Sequence, residues 1–269
     1  MTEGRVSDDV SRLYAGGSYA SPSSRVDRLL EPLRRVGDRA TLTAVGAVRS
    51  GTRVLDLGAG DGRMLTVLRR RGCVVSGVDP FASGTDESLA IRRVALENAV
   101  IEPESADVVL LWHVLEHVDD PAAAVDVAGR ALRSGGRLVV SVPSLDSLQA
   151  RLGGDRWFHL DVPRHAVHFT RAGLVKLLER CGLRPMAARG SAIDQNLLGM
   201  TQTLLNRLTS ERNVAFRALK GDDGLPRRDL ALTVAAAIPV AVAGSVAELA
   251  AALFGRSGAL VVHGVRSVS

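Results

Sequence analysis

The sequence predicts a doubly wound α/β protein. It has a seven-stranded, mostly parallel sheet, a helical cover at the N-terminus and a mainly helical insertion before the last strand. Two observations predict it. Short β-branched runs alternate with helical stretches from Arg53 to Val142, and a glycine-rich turn follows the first of those runs.

RVLDL (53–57), VVSGV (74–78), DVVLLW (107–112) and RLVVSV (137–142) are nearly continuous apolar runs, as strands buried on both faces must be. A weaker strand lies near Arg92–Leu96. RPMAARG (184–190) and ALVVHGV (259–265) complete the sheet. Between strands, Asp120 can cap a helix whose first turn takes Pro121, with Gly135 available to end it. RAGLVKLLERCGL after Thr170 reads as another helix. Ahead of the sheet, Val26–Val48 has a helical period with leucines on one face and arginines on the other. The expected division is 1–49 cover, 50–190 ligand-binding core, 191–257 helical insertion and 258–269 last strand.

At 46% apolar and 23% charged residues, the 269-residue chain has the composition of an ordinary soluble protein. Its net charge of +5 comes almost wholly from arginine, with lysine only at Lys176 and Lys220. The arginines are scattered among carboxylates without a basic block, so no nucleic-acid partner is expected. Cys73 and Cys181 are far apart and lack metal or redox spacing, which suits reduced thiols. MTEGRVSDDVSRLYAGG lacks the apolar run of a signal peptide, and a cytoplasmic location is expected.

The first strand runs into VLDLGAGDGRML. Glycine adopts the dihedrals that let backbone approach a ligand without a Cβ clash. A dinucleotide fingerprint would read G-x-G-x-x-G, but here glycines fall at 58, 60 and 62, and the final position is Arg63. That disfavours a pyrophosphate and a nicotinamide oxidoreductase. Asp56, just before the loop, suits a ligand carrying a cationic amine. Asp79, in GVDP at the end of the second strand, can accept hydrogen bonds from both hydroxyls of a ribose. Together the two motifs indicate an adenosyl cofactor without phosphates.

These residues resemble the class I S-adenosylmethionine-dependent methyltransferases. LDLGAGDG is similar to their first motif and GVDP to their second. SADVVLLWHVLEHVDDP resembles their fourth strand with its following loop, and LRSGGRLVVSVPS their fifth-strand motif. RWFHLDVPRHAVHFT extends the likeness to the branch holding ubiquinone-biosynthetic and glycan or natural-product O-methyltransferases. The resemblance implies a Rossmann-like methyltransferase fold and S-adenosylmethionine as cofactor. Asp56 would lie near its amino group, Gly58, Ala59, Gly60 and His113 along it, and Asp79 with Pro80 at the ribose. The acidic residue that the family places on the adenine side is not evident; Glu97 and Asn98 are the available groups.

HVLEH (113–117) matches the H-x-x-E-H spelling of inverted zinc peptidases, which carry it inside a helix. Here it follows a buried strand and precedes a helix start, so that reading fails. A single helical turn would still bring His113, Glu116 and His117 onto one face. Three roles remain open: holding the loop in shape, general-base catalysis by His117 or His113, or a divalent metal. Some relatives bind a metal through E-x-x-E-H. With His113 in place of the carboxylate, zinc, manganese or iron would suit the set His113, Glu116, His117 better than magnesium. A metal is not the favoured reading.

Trp157 and His165, with Tyr14 and Tyr19, are the expected substrate contacts, and His165 is a further candidate base; packing of the loop by Trp157 and Phe169 is the alternative. Tyr14 and Tyr19, in YAGGSY, are read as a flap over the cofactor or as surface-turn residues. The eighteen residues from Leu230 to Ala247 carry no charge. Residues 230–254 could contact a membrane or a lipid-linked substrate, pack as a cover, or form a homodimer face.

The expected activity is methyl transfer to a small-molecule acceptor, at a hydroxyl oxygen of a natural product, glycan or lipid-linked intermediate. The alternative is a methyltransferase fold that binds the cofactor without transferring methyl, as a cyclase or scaffold.

Overall fold

A computed structural model describes residues 37–82, 87–187 and 193–267. The chain groups into two compact units. Among described residues the sheet unit takes Asp38–Pro143, Phe169–Ala187 and Leu260–Ser267, and the helical unit takes Gly37, Ser144–His168 and Ile193–Ala259.

The sheet unit begins within helix α1, which is described over 37–45. Then follow β1 (Arg53–Leu57), α2 (Arg63–Arg69), β2 (Val74–Val78), β3 (Ile91–Arg92), β4 (Ala106–Trp112), α3 (Pro121–Ala131) and β5 (Leu132–Pro143). Helix α5 (Arg171–Arg180), β6 (Leu183–Ala187) and β7 (Ala259–Arg266) complete it. The seven strands lie in the order β3-β2-β1-β4-β5-β7-β6. Pairing is parallel where β1 meets β2 and β4, and antiparallel between β6 and β7. Leu65 and Leu68 of α2 pack with Val54, Val108, Leu110 and Val139 in one buried cluster, which accounts for the apolar runs read as strands.

Asp120 caps α3 as the sequence predicts, its Oδ1 accepting from the amides of Ala122 (2.9 Å) and Ala123 (3.0 Å). Gly135 does not end that helix. The helix stops at Ala131, and Leu132 is already extended and paired with Ala106. Gly135, at φ +71°, belongs to the irregular start of β5, where the β4–β5 register shifts. Thr170 caps α5 by accepting from Gly173 N at 3.1 Å. The end of α1 and the chain just after it are fastened to the sheet, with Arg137 donating to the carbonyls of Val45 and Ala47 and His263 Nε2 to that of Ala44.

The helical unit contains α4 (Leu148–Gly153), α6 (Ile193–Asn206), α7 (Val214–Leu219) and α8 (Arg227–Leu253). Helix α6 packs along α8. A Cβ at Gly244 would come within 3.3 Å of Met200 and 3.4 Å of Thr201, so a glycine there permits the close approach. A buried polar network holds this unit together. Glu248 accepts from Gln149 Nε2 (2.8 Å) and Gly258 N (2.9 Å), Gln149 Nε2 also reaches Asn196 O (2.7 Å), and Asn196 Oδ1 accepts from Ala259 N (2.6 Å).

Candidate active site

In the sheet unit the chain reverses winding between β1 and β4, and ligands of doubly wound sheets bind at the strand ends beside such a switch point. The glycine turn stands there. Its backbone is held by Gly58 N and Ala59 N, both donating to Val78 O, and by Gly62 N donating to Ala59 O. Gly58 (φ +93°) and Gly60 (φ +54°) are in left-handed conformations that favour glycine. A Cβ on Gly58 would lie 2.4 Å from Val114 of the HVLEH segment, whereas one on Gly60 would meet nothing within 4 Å. Gly58 therefore serves close packing, and Gly60 leaves room for a ligand to approach the backbone.

Two carboxylates flank the turn. Asp79 is fixed by two backbone donors: Gly60 N to Oδ2 at 2.9 Å and Phe81 N to Oδ1 at 2.7 Å. Pro80 beside it is exposed. Asp56 lies on the central strand, registered with Gly77 of β2 and Leu110 of β4. It is buried, and its Oδ1 has no hydrogen-bond partner. Burial first, and the negative charge of Asp79 second, push its pKa up to about 7. A cationic group would relieve both penalties. A second phosphate-like charge would add to them. The residues present thus fit an adenosyl ligand carrying an amine and a sulfonium, which the glycine turn, Asp56 and Asp79 would hold.

Arg63, the residue that breaks the dinucleotide spacing, pairs with Asp38 of α1 through two hydrogen bonds of 2.9 Å. Its guanidinium braces the first turn of α2 against α1, a role that the local motif does not reveal. Glu97 and Asn98 lie on an exposed single turn, Leu96–Asn98, after β3.

HVLEH is a turn after β4. His113 has φ +55° and donates its amide to Ser141 O. Its Nδ1 lies 3.0 Å from Glu116 Oε1, and its Nε2 lies 3.4 Å from Ser141 Oγ. A carboxylate only accepts, so Nδ1 carries the proton. Both ring nitrogens thus face protein groups, and this imidazole fastens the turn to β5. Leu115 is fully buried, and the amide of His117 closes the turn on Val114 O at 2.9 Å. His117 is half-buried.

The helical unit carries the second group of expected residues. Trp157 is 3% exposed, and its indole Nε1 has no hydrogen-bond partner. His165 Nδ1 lies 2.6 Å from His159 O, and His168 Nε2 lies 2.9 Å from Leu160 O. Because carbonyls only accept, these nitrogens are the protonated ones. The rings of His159 and His165 are parallel within 10° at 6.3 Å, and Trp157 stands at 5.8 Å from His159 and 6.1 Å from His168. Gly199 of α6 makes space for this cluster, since a Cβ there would lie 2.8 Å from His159 Nε2. Tyr14 and Tyr19 fall outside the described residues.

Comparison with known proteins agrees with the geometry. Residues 19–188 match the family model described as a methyltransferase domain. The chain is 37% identical over 103 residues to a ubiquinone biosynthesis O-methyltransferase of Xylella fastidiosa, covering 34% of this chain and 42% of the relative. It is 30% identical over 155 residues to the protein of the same name from Aeromonas salmonicida, covering 49% and 63%. The chain thus spans less than two thirds of these relatives' length. Among solved structures, one chain of the complex between the Haloferax volcanii Trm112 activator and a methyltransferase aligns over 93% of this chain and 97% of its own. Its TM-score is 0.54 at 16% identity. The [4+2]-cyclase SpnF aligns over 87% and 82%, with a TM-score of 0.51 at 17% identity. At such identities these structures share the fold alone. The family model covers well over half of the sequence, and the chain belongs to the class I S-adenosylmethionine-dependent methyltransferases.

Proposed function

We propose that the protein transfers the methyl group of S-adenosylmethionine to a hydroxyl oxygen of a small-molecule acceptor, a natural product, glycan or lipid-linked intermediate. The observation that carries the reading is Asp56: a buried carboxylate with an unpartnered oxygen, behind an open glycine turn and under the field of Asp79. The cofactor supplies an electrophilic methyl on a cationic sulfur. Asp56 holds the cationic amino-acid end, Gly58, Ala59 and Gly60 line the cofactor, and Asp79 with Pro80 takes the ribose.

The O-methyltransferase names of the sequence relatives support oxygen as the atom methylated. A hydroxyl must lose its proton as it attacks, and His117 is the base we assign. His113 is better placed to position the turn. For the acceptor we assign Trp157 and His165 as contacts, with the Trp157 indole N–H as a hydrogen-bond donor.

Replacing Asp79 by Ala is expected to weaken S-adenosylhomocysteine binding at least severalfold in calorimetry; unchanged affinity would remove Asp79 from the site. His117→Ala is expected to leave that affinity intact and to lower kcat by about a hundredfold, the lower end for a general base. An unaltered kcat would assign His117 to loop structure. Formation of S-adenosylhomocysteine in step with acceptor separates methyl transfer from a fold that only binds the cofactor.

A further inference from the structure

Helix α8 is built inside out. Its buried positions are Asp229, Thr233, Gly244, Glu248 and Ala251, so both internal carboxylates of the helix face the protein. Past its first turn the exposed positions are apolar: Val234 is 76% exposed, Ile238 77%, Val242 62%, Val246 64%, Leu249 61% and Leu253 85%, with Phe254 following at 80%. The exposed stripe runs from Ala231 to Phe254, a length of about 35 Å at the helical rise, and the one charged residue in that range, Glu248, is buried. Monomeric soluble proteins rarely leave a contiguous apolar patch beyond a few hundred Å² open to water.

The helix is long and apolar enough to cross a membrane. Its polar anchors argue against crossing. Asp229 accepts from Ser210 Oγ and Glu211 N, both at 2.8 Å, while Glu248 accepts from Gln149 and Gly258. A span would strip both carboxylates of these donors and place them in or near hydrocarbon. The anchors instead hold one side of the helix to its own unit and leave the other side outward along its whole length.

The charges at its ends choose between a second copy and a lipid surface. Arg227 and Arg228 are exposed at the start, and Arg256 is exposed just past the end. An antiparallel pairing of two such helices sets Arg227 and Arg228 against the other copy's Arg256, and a parallel pairing sets like against like. Either brings exposed arginines together. An anionic lipid surface is complementary to both ends at once. We propose that α8 docks in the plane of an anionic phospholipid surface, its Val–Ile–Leu stripe and Phe254 entering the headgroup–acyl boundary while the terminal arginines meet the headgroups.

Vesicle flotation of the full chain tests this without reference to its activity. Vesicles of phosphatidylcholine with one third phosphatidylglycerol are expected to carry the protein upward, and high salt to release it. Reversing the three arginines to glutamate should lower partitioning by at least about a hundredfold, from about fivefold per arginine lost. The Ile238→Glu/Val242→Glu variant, altered only at exposed positions, should keep its circular dichroism and melting temperature but fail to float. Equal flotation of wild type and that variant would overturn the proposal. So would equal binding to pure phosphatidylcholine. A dimer in sedimentation velocity that the same variant dissociates, with no flotation, would assign the stripe to a second copy instead.

Discussion

Asp56 is the residue on which the site turns, and its protonation gives a measurable handle. Folding raises its pKa from 3.8 to about 7, so the folded chain holds this proton more tightly than the unfolded chain. The stability it contributes is full below pH 3.8 and is lost as pH rises toward 7. Burial raises Glu248 as well, which adds a slope of the same sign. Comparison with Asp56→Asn isolates the first contribution: the variant should lose part of the decline in Tm between pH 4 and 7 and be the more stable apo-protein at pH 8. A cation beside Asp56 lowers its pKa, so S-adenosylhomocysteine binding should release a proton and tighten from pH 6 to 7.5. Calorimetry in buffers of different ionisation enthalpy reads that proton directly. An identical heat in every buffer would take the amine away from Asp56. Both carboxylates were legible in the sequence, because strand, glycine turn and second-strand aspartate come in fixed order. The orphaned indole of Trp157 and the Asp38 partner of Arg63 were not, since each depends on residues brought together only by the fold.

At the scale of elements, the glycine turn separates packing from access. Gly58→Ala puts a methyl 2.4 Å from Val114 in a left-handed conformation, and both the turn and HVLEH must yield. Gly60→Ala meets no protein atom and carries only the left-handed penalty of roughly 1–2 kcal/mol. The first variant is expected to lose stability and cofactor binding together. The second should fold with a small drop in Tm yet bind S-adenosylhomocysteine at least about tenfold more weakly, a loss of about 1.4 kcal/mol. Urea melts with and without the ligand distinguish them, and equal affinity in Gly60→Ala would show the open side of the turn to be unused. The strands were readable as apolar runs and the α3 cap as Asp-Pro, but the end of α3 was not. Two glycines after a helix commonly mark its C-terminus. Here the pairing of Leu132 with Ala106 ends the helix first and uses Gly135 in the strand entry. For α8 the composition showed a charge-free run. Only the structure shows that its bounding carboxylates point inward.

Across the whole molecule, chain order decides how the last strand is entered. Strand β7 lies between β5 and β6, yet it is the last strand in sequence, and the chain reaches it through Gly258 and Ala259. Those two amides donate to Glu248 and Asn196, side chains of the long insertion. The alternation of elements predicts such a sheet, but no local signal pairs a glutamate inside an apolar stretch with a backbone amide ten residues on. Glu248→Ala leaves Gly258 N without its acceptor and Gln149 Nε2 with one acceptor fewer, and an unsatisfied buried donor costs about 1–3 kcal/mol. The expected loss is about 3 kcal/mol, a fall in Tm on the order of 10 °C for a chain of this size. Glu248→Gln keeps the shape and should lose less, because its amide oxygen still serves one donor. Hydrogen exchange locates the effect: amides of β7 should lose protection in Glu248→Ala along with those of α8, because the strand is entered through the broken anchor. Protection lost in α8 alone, with β7 as slow as in the wild type, would mean that the last strand is fixed by its sheet neighbours and that the insertion folds on it as a separate step.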